Sequence, residues 1–73
     1  MISEDEILNM NNIDFMIKVR EILDKNQRPE NRIDINEIKL SISNLFLVKD
    51  LELRTKIRME IAKDVNKLIS NIY

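Results

Sequence analysis

Residues 45–58, Leu45-Phe46-Leu47-Val48-Lys49-Asp50-Leu51-Glu52-Leu53-Arg54-Thr55-Lys56-Ile57-Arg58, decide how this chain is read. Upstream, Ile35, Ile38, Ile42, Leu45 and Phe46 form one apolar stripe at helical spacing. Continued onward, that stripe lands on Lys49, Glu52 and Lys56. A second stripe replaces it, made of Ile57, Ile61, Val65, Leu68 and Ile72. At about 100° per residue it is rotated by roughly 120° from the first. A straight helix would present its apolar face in two directions. A break at 48–50, with Asp50 capping the next helix, removes the conflict. One uninterrupted helix over 35–72 is the competing reading, because neither Gly nor Pro marks the break. We read two helices, 35–48 and 51–72.

Two helix starts share one pattern, Ile2-Ser3-Glu4-Asp5-Glu6-Ile7 and Ile33-Asp34-Ile35-Asn36-Glu37-Ile38. In each, a short polar residue can cap free backbone N–H groups, a Glu three positions on can reach back, and flanking Ile residues can close as a staple. The first helix is expected over 4–24, with a weak point at Asn9-Met10-Asn11-Asn12, where Asn12 can restart it. Leu8, Phe15, Val19 and Ile22 share one face of it; Met10, Ile13 and Ile17 lie nearly opposite. Residues 24–32 (DKNQRPENR) are wholly polar and contain Pro29, which makes them the linker. The expected fold is all-α and a single domain over 1–73. It is a small three-helix bundle or a helical hairpin with a long C-terminal helix, and it is expected to be oligomeric.

Composition narrows the chemistry. With 73 residues and no Cys, stability comes from helix packing or a partner, not from disulfides. The absence of His as well leaves no ordinary zinc ligand set. A net charge of −1 gives no global attraction to nucleic acid or an anionic membrane. No stretch approaches the roughly 20 apolar residues of a spanning helix. The acidic start, Met1 to Glu6, is the opposite of a secretory leader, so a cytoplasmic location is expected. Heavy use of Ile, Asn and Lys without Gly is typical of AT-rich genomes, viral and phage genomes among them.

No enzyme is expected. His and Cys, the commonest general base and the strongest nucleophile, are both missing. Ser3 reads as a cap, and Ser41, Ser43 and Ser70 as helix-surface residues. Glu60 and Asp64 stand one turn apart, but Lys56, Lys63 and Lys67 share their face, which makes them solvated charge pairs. A phosphate-cradling loop needs glycine. No catalytic, metal or cofactor residue is assigned.

The remaining function classes are interactions. Arg54, Lys56 and Arg58 form a possible basic contact patch at the start of the last helix. Arg32-Ile33-Asp34-Ile35 followed by two helices would permit a ribbon-helix-helix DNA-binding regulator over 32–72. The capping-box reading of Asp34 and Glu37 argues against it, and nucleic acid is not the expected partner. A short helix, the Pro29 turn and a longer helix ending Ile61-Ala62-Lys63-Asp64-Val65-Asn66-Lys67-Leu68-Ile69 resemble type III secretion needle subunits, with that family's double-proline turn reduced to Pro29. The resemblance implies a polymerising structural subunit. Surplus apolar surface favours a third class, a protein-binding module that is a homo-oligomer or a small subunit or adaptor of a larger complex. Its expected contact residues are Met10, Ile13, Ile17, Leu40, Leu47, Met59, Ile69 and Tyr73.

Overall fold

The computed structural model describes residues 2–70. Those residues contain four α-helices and no strand: α1 (Glu4–Asn9), α2 (Asn12–Lys25), α3 (Arg32–Leu45) and α4 (Leu51–Ser70), with a 3₁₀ turn at Pro29–Asn31. None of these helices is long and apolar enough to cross a membrane.

Ser3 starts α1 as expected, its Oγ accepting the Glu6 N–H at 3.2 Å. The expected single helix over 4–24 is two. Met10 and Asn11 are both extended (ψ 143° and 172°), and the restart cap is Asn11 rather than Asn12. Asn11 Oδ1 accepts the Asp14 N–H at 2.8 Å. The Asn side chain satisfies an orphan donor at the new helix start, so breaking the helix costs little here. This break changes which residues face inward. Ile2 and Ile7 are buried, and Leu8, expected in line with Phe15 and Val19, is 59% exposed.

Asn26 closes α2, donating its backbone N–H to Leu23 O and its side-chain amide to Ile22 O. The polar linker is wound, not loose. Asn31 is buried, its Nδ2 donating to Asn26 O at 3.0 Å. Pro29 occupies the first position of the 3₁₀ turn, where its fixed φ suits a helical start, and that turn runs straight into α3. The helix is therefore already under way at Asp34, and the expected Asp34 capping box is not formed. Asp34 is exposed inside the first turn, and Ile33 is 72% exposed and staples nothing. The strand that a ribbon-helix-helix unit needs at 32–35 is likewise helix.

The chain turns where the apolar stripe rotates. α3 ends at Leu45, three residues before the expected end at Val48. Asp50 then caps α4, its Oδ1 accepting the N–H groups of Glu52 and Leu53 at 2.9 and 3.2 Å.

Helix α4 packs against α1, α2 and α3. Its Ile61, Ala62, Val65 and Leu68 meet Phe15, Val19 and Leu23 of α2, Ile35, Ile38, Ile42 and Leu45 of α3, and Ile2 and Ile7 in one core. The described residues thus form a compact all-helical fold in which α4 touches each of the other three α-helices. Its radius of gyration is 11.7 Å, against about 11 Å for a compact chain of this length. Ile72 falls outside the described residues.

Three polar contacts fasten α1. The Ile2 backbone exchanges both its hydrogen bonds with the Asn66 side chain, at 2.9 and 3.0 Å. Lys18 pairs with Glu6, and the ammonium's hydrogen bond holds the Glu6 carboxyl below the usual carboxylate range.

Two expected outcomes follow from these geometries. Asp50→Ala should lower stability in denaturant unfolding by about 0.5–2 kcal/mol. Asp34→Ala should cost no more than about 0.3–1 kcal/mol, the contribution of a first-turn acid; the reverse order would return the helix start to Asp34. A carboxyl whose pKa is depressed by folding adds stability above its unfolded titration range and loses it as pH falls through the folded value. Acid should therefore loosen α1 first, read as falling protection of the Ile7 N–H corrected for intrinsic exchange. Glu6→Gln should remove that part of the pH dependence.

Candidate functional site

Helix starts and helix ends meet at one end of the bundle and leave a cleft of about 600 Å³. Asn11, Asn12 and Ile13 line it from the start of α2, Phe46 from the end of α3, and Leu51, Arg54, Thr55 and Arg58 from the start of α4. Ile13, Phe46 and Leu51 are 58%, 44% and 73% exposed. Ile17, one turn beyond Ile13, is 48% exposed and extends the same face of α2. Three large apolar side chains thus border one opening that no other described residue fills.

Two arginines hold the walls of this cleft. Arg58 Nη1 donates to Met10 O at 2.8 Å and to Asn12 Oδ1 at 3.3 Å, and Nη2 to Thr55 Oγ1 at 3.2 Å. It therefore ties α4 to the α1–α2 junction, taking up a carbonyl that the helix break leaves free. Its Nε is buried without a partner. Arg54 Nε donates to Val48 O and fixes the α3–α4 loop. The expected basic contact patch is therefore not a set of three free cations. Arg54 and Arg58 are partly buried and engaged with backbone carbonyls, and Lys56 alone of the three is exposed.

Of the contact residues expected from sequence, the fold brings Ile13 together with Arg54 and Arg58, and Ile17 continues their surface. Leu40 and Leu47 are 65% and 78% exposed but do not line the cleft. Met10, Met59 and Ile69 are partly buried against the core, so most of their surface is already spent inside the chain. Tyr73 lies outside the described residues. Phe46 and Leu51 were missed. Phe46 fits the buried stripe of α3 by spacing, but α3 stops one residue before it, and the turn swings its ring to the rim. Leu51 directly follows the Asp50 cap, a position that commonly faces solvent, and that signal was readable.

Cationic charge gathers elsewhere. Arg28, Arg32 and Lys39 border a second cleft of about 490 Å³, with Gln27, Pro29, Ile35 and Asn36. Winding of the linker brings Arg28 beside α3, which spacing alone did not reveal. Among the described residues no group of three or more His, Cys, Asp or Glu is placed to hold a metal ion. The sequence matches no protein-family model, no curated protein and no solved structure.

The strut role of Arg58 is measurable. Arg58→Met should lower unfolding stability by about 1–3 kcal/mol, the cost of leaving the partly buried Met10 carbonyl and Asn12 amide oxygen unpaired. Lys56→Met, on the exposed face of the same helix, should fall within about ±0.5 kcal/mol of the parent.

Proposed function

We propose that this chain is a non-enzymatic cytoplasmic module that binds protein, as a homo-oligomer or as the small subunit of a larger complex. The observation that supports this most directly is the cleft bordered by Ile13, Phe46 and Leu51. Nine large apolar side chains among the described residues are exposed, and isolated ones are normal on any protein surface. Three around one concavity, with arginines and asparagines at the edge, have the make-up of an interface, where an apolar centre is enclosed by a polar rim. Fixed walls suit the role, because a preorganised surface loses less entropy on binding.

A second reading, binding of nucleic acid, draws on Arg28, Arg32 and Lys39 around the second cleft. Arg54 and Arg58 lend it less support, since their guanidinium groups are engaged with the chain's own backbone. A polymerising subunit is a special case of self-association through the apolar cleft.

Sedimentation at micromolar concentration, together with the intact mass of the complex recovered from the native host, tests the main reading. The expected result is a mass above one chain that Phe46→Lys reduces while the circular dichroism stays helical. A concentration-independent single-chain mass in both measurements would overturn it. Duplex DNA titrated at two salt concentrations tests the second reading. Phosphate contacts would give affinity that falls steeply with salt and weakens in Arg28→Ala/Arg32→Ala; we expect no such binding.

A further inference from the structure

Helix α1 is six residues long, too short to persist by itself in water. It is folded because it is docked, chiefly on α4. Its anchors are two apolar side chains, Ile2 and Ile7, each 3% exposed, and the paired hydrogen bonds between the Ile2 backbone and Asn66. Between this segment and the rest of the bundle stand two extended residues, Met10 and Asn11. The N-terminal segment is an arm seated in a dock.

The same residues carry a second, competing arrangement. Leu8, Phe15, Val19 and Ile22 fall on one face of a continuous helix. In the arm-docked form Leu8 is instead 59% exposed. Joining α1 to α2 would carry Leu8 into line with the buried Phe15 and Val19 and would pull Ile2 and Ile7 out of the dock. Two features oppose the join: Asn11 Oδ1 holds the Asp14 N–H, which a continuous helix would give to Met10 O, and Arg58 already occupies Met10 O.

We propose that Ile2–Asn9 is an exchangeable arm, that α1 and α2 fuse across Met10–Asn11 when it leaves, and that the vacated dock on α4 receives the same arm from a second copy of this chain. Every contact of arm with dock is then remade between copies, so the exchange costs only the hinge and the association. The second copy is the favoured occupant because its arm carries the one pattern known to fit: two isoleucines five residues apart and a free backbone N–H and C=O for Asn66. The dock on α4 is separate from the Ile13–Phe46–Leu51 opening, but the hinge residue Asn11 and Arg58 line that cleft, so the exchange is read in the Phe46→Lys background as well.

Two hinge variants give opposite outcomes. Asn11→Ala removes the cap and favours continuous helix, and should raise the dimer fraction at fixed concentration on the order of tenfold, with two hinges relieved per dimer. Asn11→Pro also removes the cap, yet proline's fixed φ suits the extended hinge and its ring would clash with the Ile7 carbonyl in a fused helix. It should hold the chain monomeric. The chain has no cysteine, so Lys67→Cys carries a single spin label beside the dock. Mixed with ¹⁵N-labelled unmodified chain, it should broaden the amide signals of Ser3–Asn9 across copies in the Asn11→Ala background. Phe46→Lys should leave that broadening in place even where it abolishes assembly through the cleft. The proposal is overturned if both hinge variants move the dimer fraction in the same direction, or if the arm amides show no broadening from the other copy.

Discussion

A chain without glycine lacks the residue that most easily ends a helix by a left-handed turn. Among the described residues none has a positive φ. The first three helices are ended by other means: extended residues after α1, the Asn26 side chain after α2 and a tight turn after α3. Asparagine does much of this work, because its short amide side chain bonds to nearby backbone in place of a helix neighbour. Asn11 caps a start, Asn26 closes an end, Asn31 braces the linker and Asn66 holds the N-terminal segment. What composition suggests is a loose excess of Asn is largely the joinery of the bundle.

The arginines extend the same logic to the carbonyls that helix ends leave free. Arg58 and Arg54 reach from α4 to the two junctions it faces, and between those junctions the apolar cleft stays open. Cation and cleft are therefore coupled. The guanidinium groups that look available for a ligand in sequence give the apolar wall its shape.

The helical class, the turn at 48–50 and the core of α3 and α4 were legible, because a long apolar stripe that rotates by a third of a turn has few physical interpretations. Ile35, Ile38, Ile42, Leu45, Ile61, Val65 and Leu68 are all buried. The α1–α2 break was half legible: the Asn run flagged it, but the local pattern could not show that Arg58, 48 residues away, donates to the carbonyl of the extended Met10. The start of α3 was misplaced because capping boxes are read locally, whereas Pro29 starts the turn upstream and the helix inherits it. At the candidate site, Ile13 stood out as surplus apolar surface. Phe46 did not, since one residue of helix length separates a core position from a rim position.

The pairing of Ile2 with Asn66 joins residues 64 apart in sequence. During synthesis α1 must wait for nearly the whole of α4 before its dock exists. Domains are made from the N-terminus onward at roughly 5–20 residues per second, so Ile2 and Ile7 stay uncovered for seconds while α2 and α3 form beside them. For that interval the nascent chain presents a short amphipathic segment with no cis partner. Contacts of such long sequence separation also slow the final step of folding. The burial that completes the core is thus the last to become available, and neighbouring chains on one messenger would be within reach before it does.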